Sequence, residues 1–461
     1  MLQYIFLMVK EFRYPAGAVF YRTLNRPLPK AVRGEGCWII DDQGRRYLDA
    51  CGGAFVANLG HGVAEIADAL SAQARSLAYV NGSAFTTNAA EELAFELTSL
   101  APAGLDHAYF LGSGSEAVEA ALKLARQYWI ETGRPAKHKI LSLAPGYHGN
   151  TLLALSASAR PHYQKAFGPW LVKVPQIPAP YAYRCDCAGR PACPRCDGDL
   201  VEEAILREGP DTVAAFIAEP VGGSSTGASV PRPGYWKRIR QICDRHGVLW
   251  IADEVLTGAG RTGRWAAVEH EGALPDLMTM GKGISGGYAP LSALLAPTKI
   301  IDALAKGGGS FSHAQTFSHF PVSCAAGLAA VRHIRAKGLV ARSAAMGRVL
   351  LARLESLRPL PFIGDVRGLG LLAAVEFVED KASRAPFPRK LKFAEAFTAA
   401  ALDAGLLVWP NTGQADGENG DLVMLAPPFI VTEEEIEELL SRFKLALEKT
   451  AAALAPQGRT K

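Results

Sequence analysis

The sequence predicts an α/β protein with a central, mostly parallel sheet and a smaller α+β part drawn from both chain ends. Between about Asp68 and Ala330, helical stretches alternate with short apolar runs, the pattern of strands connected by crossover helices. Several of those runs end in small or acidic residues, at the edge where parallel sheets hold their ligands. The two ends read differently, with a hairpin near the start and long Ala/Leu/Arg helices followed by strand-like segments after about Val331.

In chain order, Gly34 to Asp49 reads as a hairpin turning at Asp42-Gln43-Gly44. His107 to Leu111 reads as a strand, followed by Gly112-Ser113-Gly114-Ser115. Glu116 to Trp129 is then a helix, because Ala117, Ala121, Leu124 and Tyr128 recur at three- and four-residue intervals. Lys139 to Leu143, Val213 to Ala218, Val248 to Ala252 and Leu277 to Met280 are further strands. Val366 to Phe377 reads as strands separated by Gly368 and Gly370, and Asn411 to Asp421 as a Gly/Asp/Asn-rich loop. Thr432 to Ala453 is an amphipathic helix opened by a Thr432/Glu435 capping box. This places residues 1–67 and 331–461 in a small domain flanking a large domain of residues 68–330.

The 461 residues are 49% hydrophobic and 20% charged, the balance of a soluble globular chain with a large core. With 49 basic and 45 acidic residues, the net charge of +4 is too even to imply a nucleic-acid surface. Met1 to Val9 is apolar but short, lacks a basic leader, and runs into Lys10, Glu11 and Arg13, unlike a secretory signal. No stretch is long enough to span a membrane. The expectation is a cytoplasmic protein without membrane or nucleic-acid partners.

Three pieces carry chemistry. Gly112 to Glu116 lies between a strand and a helix, where glycines allow close approach of an anion and free N–H groups favour phosphate. The same residues also read as an ordinary turn with a Ser113/Glu116 capping box. Asp253 ends an apolar strand; a carboxylate buried there needs a partner, and a protonated pyridine nitrogen would serve. A helix cap or an arginine partner is the alternative. Lys282, between Gly281 and Gly283, follows another apolar strand. Its small neighbours leave room for a bulky group on an amine suited to Schiff-base formation, though a surface loop lysine has the same local sequence. Taken together, a phosphate loop, a strand-end acid and a strand-end lysine supply both poles of one cofactor and a covalent tether.

With "GSGSEAVEAALKLAR", "YHGNT", "AEPV", "DEVLTGAGRTG", "GKGISGG", "TFSHFP" and "VRGLGL" in order, the chain resembles the class III aminotransferases of the fold type I pyridoxal-phosphate enzymes. The similarity runs from Arg33 to Phe429. It implies pyridoxal 5′-phosphate as cofactor, with Gly114 and Ser115 on its phosphate. Tyr147 would stack on the ring with His148 beside it, Val255 would pack on the other face, and Asp253 would meet the pyridine nitrogen. Lys282 would be the Schiff-base lysine and proton shuttle of a ping-pong transamination, with Glu219 near cofactor and substrate. Thr316 would reach the phosphate of the neighbouring subunit, so that the sites are shared in a homodimer.

The resemblance implies an amine donor and a keto acid acceptor. Where many members hold a carboxylate with arginine, this chain has Trp409 and Met424, which cannot bind one. An amine without a carboxylate beside the reacting carbon is therefore expected, in an apolar pocket including Trp409, Phe55 and Tyr21. His319 and Phe320 in "TFSHFP" also depart from the usual small residue and histidine. The same scaffold carries amino-acid racemases and decarboxylases, which the missing arginines count against. A non-catalytic cofactor-binding protein is opposed by the intact Asp253 and Lys282.

Cys185, Cys187, Cys193 and Cys196 could give four thiolates to zinc, but only one couple has the two-residue spacing and the insert lies outside the catalytic motifs. They are read as a reduced surface loop without metal. Cys37, Cys51, Cys243 and Cys324 are read as reduced core thiols.

Overall fold

A computed structural model describes residues 17–24, 26–187, 190 and 192–454. The apolar start at Met1 to Val9, with Lys10, Glu11 and Arg13, lies outside them. The seven-stranded central sheet has the order His107–Leu111, Ser292–Ala296, Leu277–Met280, Leu249–Asp253, Val213–Ala218, Lys139–Ala144, Gln176–Pro178. Ser292–Ala296 runs antiparallel to both its neighbours, and the remaining pairs are parallel. The five strands read from the sequence are all present, within a residue at either end. Val213–Ala218 and Leu249–Asp253 are buried along their whole length, as a parallel sheet covered on both faces requires.

The helix after the first of these strands spans Gly114–Glu131, starting two residues before the sequence predicts. The Ser113 hydroxyl caps it by accepting from the Glu116 N–H at 3.3 Å, which extends the helix over both small residues.

The chain ends meet in two smaller sheets. Gly34 to Asp49, read as one hairpin, forms a three-stranded meander of Ala31–Glu35, Trp38–Asp41 and Arg46–Asp49. Gly36, with φ +57°, supplies the extra turn. Leu406–Leu407 joins this meander in parallel beside Arg46–Asp49, so the C-terminal part pairs directly with the N-terminal part. The second sheet has the order Ile363–Gly368, Ala373–Phe377, Asp421–Leu425, Trp409–Thr412, all antiparallel. The Asn411 to Asp421 segment therefore turns a hairpin and contributes to both its strands. The Glu433–Leu454 helix opens as expected. Glu435 N–H donates to Thr432 Oγ1 at 3.1 Å, and Thr432 N–H to Glu435 Oε2 at 3.0 Å. One apolar core runs through the whole molecule, from Leu48 through Trp250 and Met278 to Phe443.

Among the described residues, no helix is long and apolar enough to cross a membrane. All eight cysteines are buried and none is in a disulfide. The four of the insert are no surface loop: they are buried against one another in a small cluster of their own.

Beyond the Leu249–Asp253 strand, Glu254 is fully buried and holds the following loop in place. Its carboxylate accepts from the Thr257 hydroxyl and, at 2.9 Å, from the Val268 N–H. Burial pushes its pKa up to about 7. A carboxyl raised in the folded state contributes stability that is present in full below the ordinary carboxylate range and lost as pH rises through about 7. We predict that E254Q flattens this fall, narrowing the loss in denaturant midpoint between pH 5 and pH 8. An unchanged pH dependence in E254Q would refute the assignment.

Candidate active site

Five strands of the sheet deliver their carboxyl ends to one edge, and a residue at or just beyond each end faces a common cavity of about 310 Å³. His107–Leu111 leads to Gly114 and Ser115, Lys139–Ala144 to Tyr147 and His148, and Val213–Ala218 to Glu219. Leu249–Asp253 leads to Asp253 and Val255, and Leu277–Met280 to Lys282. Phe55 and Trp409 close the cavity from the smaller sheets' side.

Asp253 is the most heavily bonded of these groups. One carboxylate oxygen takes His148 Nδ1 at 2.7 Å, and the other accepts from the Thr279 hydroxyl at 3.1 Å and the Val255 N–H at 3.2 Å. His148 is thus more than a neighbour of Tyr147: it orients the acid. Its Nε2 is buried with no protein partner.

Lys282 has φ +46°, a left-handed conformation that costs a non-glycine residue about 1–3 kcal/mol. The backbone accepts it because the flanking residues are glycines in tight quarters; a Cβ on Gly283 would lie 2.7 Å from Asn58 Nδ2. Burial lowers the lysine's pKa, while Asp253 and Glu219 pull the other way. The amine is therefore easier to find unprotonated than a surface lysine. Glu219 is shifted upward by burial. It accepts from the Tyr147 N–H at 3.2 Å and the Gly223 N–H at 3.1 Å.

At the other end, the first turn of the Gly114–Glu131 helix points its free N–H groups into the cavity mouth. Ser115 Oγ accepts from the Asn150 N–H at 3.1 Å, tying this turn to the Tyr147-His148-Gly149 loop. A Cβ on Gly114 would lie 2.7 Å from Val255 Cγ1, and one on Gly149 would lie 2.6 Å from Ser115 Oγ. Pyridoxal phosphate, the cofactor the motifs imply, fits these residues: anion-binding N–H groups at one end, a buried carboxylate for a ring nitrogen at the other, and an amine between.

Phe55 and Trp409 meet with ring centroids 5.5 Å apart. Trp409 is the register partner of Met424 on the adjacent strand, and Met424 is fully buried among Phe55, Leu256 and Leu422. Tyr21 does not join them: it is 41% exposed, and its neighbour Arg22 lines the cavity instead. The chain bends at Arg22, whose guanidinium donates to the Tyr163 hydroxyl at 3.4 Å, while Tyr21 stays exposed. Thr316 is exposed on a turn outside the cavity of its own chain.

Arg160 was not legible as a site residue. Its guanidinium lies 5.0 Å from the Tyr147 ring centroid. Nε donates to Ser225 Oγ at 3.1 Å, and Nη2 donates to Ser224 Oγ. Burial lowers its pKa, and Glu219 and the tyrosines Tyr163 and Tyr147 oppose that shift. Nothing in "SASARPH" marks it; only its place on the rim next to Tyr147 does.

The family description aminotransferase class-III matches residues 22–447. The diaminobutyrate–2-oxoglutarate transaminase of Halomonas elongata is 36% identical over 92% of this chain and 91% of its own. The putrescine–pyruvate aminotransferase of Pseudomonas aeruginosa is 34% identical over 94% of each. The omega transaminase of Pseudomonas jessenii, solved in complex with PMP, superposes with a TM-score of 0.88 at 32% identity, covering 95% of this chain and 98% of that one. These relatives are transaminases, which favours neither a racemase, nor a decarboxylase, nor a non-catalytic binding protein. The chain belongs to the class III aminotransferases, pyridoxal-phosphate-dependent transaminases of fold type I.

Proposed function

We propose that this transaminase takes its amino group from an amine without a carboxylate beside the reacting carbon and passes it to a keto acid in a second half-reaction at the same site. The observation that carries this reading is the split character of the cavity: Phe55, Trp409 and Leu256 give an apolar wall, and Arg160 stands at the rim. A carboxylate against the apolar wall would lose its hydration unpaired, at a cost of several kcal/mol in effective terms. The putrescine–pyruvate relative, whose donor is an amine, supports the same assignment.

Bound pyridoxal phosphate supplies an electron sink for the pair left on the substrate carbon. The residues of the chain do the rest. Asp253, held by His148 and Thr279, would face the ring nitrogen of the bound cofactor. Tyr147 and Val255 would confine its ring, and the N–H groups at Gly114 and Ser115 would hold its phosphate. Lys282 Nζ is the amine that would tether it, and once freed by the donor that amine would serve as the base and then the acid that moves the substrate's proton. In the second half-reaction Arg160 binds the acceptor's carboxylate, its guanidinium already oriented by Ser224 and Ser225.

The assembly we propose is a homodimer in which Thr316 of each chain completes the partner's phosphate site. Supporting this, Thr316 is exposed beside Phe317, which is 55% exposed and lies 6.1 Å from the Tyr79 ring, itself 44% exposed. Phe85 and Phe95 are 67% and 73% exposed, large apolar side chains that a partner surface would cover. We further propose that residues 1–67 and 331–461 act as one small domain around residues 68–330, and that the protein works in the cytoplasm, where its buried thiols stay reduced.

A donor panel with pyruvate and 2-oxoglutarate should show simple amines outpacing glutamate and ornithine, with W409A impaired. Preference for the amino acids with W409A unimpaired overturns the donor assignment. K282A should retain cofactor only by non-covalent contacts and lose turnover by several orders of magnitude. R160Q should raise KM for the keto acid about 10–100-fold, the loss of a charge-assisted hydrogen bond of about 1.5–3 kcal/mol. Its amine half-reaction should proceed normally; an unchanged KM would remove Arg160 from the acceptor site. Sedimentation should give a dimer, and a monomer with full activity would exclude shared sites.

A further inference from the structure

The insert between the edge strand Gln176–Pro178 and the helix Asp199–Glu208 brings four buried thiols together at one point. Cys185 Sγ lies 3.6 Å from Cys193 Sγ, and Cys187 Sγ lies 3.8 Å from Cys196 Sγ. All four sulfurs are within 4.8 Å of one another. A tetrahedral zinc ion with Zn–S of about 2.3 Å separates its sulfurs by about 3.8 Å. A disulfide needs about 2.05 Å. The observed spacing therefore matches the edges of a metal tetrahedron and is too long for two disulfides.

The connectivity fits as well. The turn that carries Cys185-x-Cys187 faces the short helical turn Pro194–Asp197 that carries Cys196, with Cys193 just before it, and each close pair crosses between them. Asp197 sets the second turn, accepting from the Cys193 N–H at 2.6 Å and donating its own N–H to Cys193 O at 2.8 Å. A purely hydrophobic cluster would be served better by aliphatic side chains than by four thiols. Four thiolates around zinc carry a net charge of −2, which Arg232, also paired with Asp197 at 3.5 Å, offsets in part. Arg232 Nη2 donates to Cys187 Sγ at 3.3 Å. Arg190 Nε donates to Cys187 O at 3.3 Å, and Arg195 Nε, from within the second turn, donates to Ala179 O at 2.6 Å. Donors of this kind orient and stabilise metal thiolates.

We propose that Cys185, Cys187, Cys193 and Cys196 hold one structural zinc ion per chain. Soft thiolates alone select zinc over magnesium or calcium. Four protein ligands leave no open position for a substrate or water, so the ion is structural. What it braces is the back of the active site. Ala179 and Pro180, just before the first cysteine, lie behind Glu219 and His148. Arg184, next to it, bonds Glu376 at 2.7 Å.

Metal analysis of the cofactor-loaded enzyme, purified without chelators, should find about one zinc per chain, released when a mercurial titrates the thiols. C193S with C196S should lose it, with a lowered thermal midpoint. Growth with cobalt should give the intense blue-green absorption of a tetrahedral thiolate site in the unmutated protein, which keeps the test valid where the variant fails to fold. Substoichiometric zinc with no cobalt spectrum, a count of two disulfides after alkylation, or iron in place of zinc would each overturn the proposal.

Discussion

Asp253 carries a carboxylate out of the middle strand of the sheet into a nearly closed cavity, and a charge placed there must be paired. Three donors arrive from three different parts of the chain: His148 after the Lys139–Ala144 strand, Thr279 on the Leu277–Met280 strand, and the backbone of Val255. Holding this one acid therefore ties two adjacent strands, Leu249–Asp253 and Leu277–Met280, to the loop after Lys139–Ala144 that bears Tyr147. The phosphate turn is linked to that same loop through Ser115 and Asn150. Lys282 follows the strand that contributes Thr279, so its strained backbone sits on an element already anchored to the acid. The site behaves as one braced unit, and the strain at Lys282 is tolerable because the unit cannot relax without breaking these bonds.

Much of this was legible because parallel sheets concentrate function at one edge. An apolar run gives the strand, the residue after it gives the edge, and Gly114, Asp253 and Lys282 could be found by that rule alone. Helix caps were legible for the same local reason: Thr432 and Glu435 satisfy each other within one turn. What was not legible depends on side chains meeting across long stretches of sequence. The bond from His148 to Asp253 spans 105 residues, and the approach of Arg160 to Ser224 spans 64. No local pattern encodes either. Tyr21 against Arg22 shows the same limit at short range: a bend in irregular chain, which no periodicity marks, decides which of the two lines the cavity.

Trp409 and Met424 illustrate how pairing alters a substrate argument. Read along the chain they are two separate replacements for arginine. Paired in register on adjacent strands, they belong to a single apolar layer that also includes Phe55, Leu256 and Leu422. An arginine introduced at Met424 would have to cross that layer, whereas one at Trp409 would stand at the cavity wall in place of the ring that packs on Phe55. Arg160 reaches the cavity from the opposite side, by way of the Tyr147 loop, and needs no rearrangement of the apolar wall.

The cysteine insert bears on the same geometry from behind. Tyr181 and Arg184 both reach Glu376, and Arg367 pairs with that acid at 2.8 Å while donating to the carbonyl oxygens of Thr226 and Gly227. Thr226 and Gly227 belong to the loop that begins at Glu219 and includes Ser224 and Ser225, the residues that orient Arg160. The insert thus connects mechanically to the acceptor side of the cavity through Glu376 and Arg367. A flexible insert would let this loop drift and loosen the hold on Arg160, and through Ala179 and Pro180 it would also loosen what lies behind Glu219 and His148. Rigidity at the four thiols is therefore felt on both sides of the cavity, in how Arg160 is held and in how His148 backs Asp253.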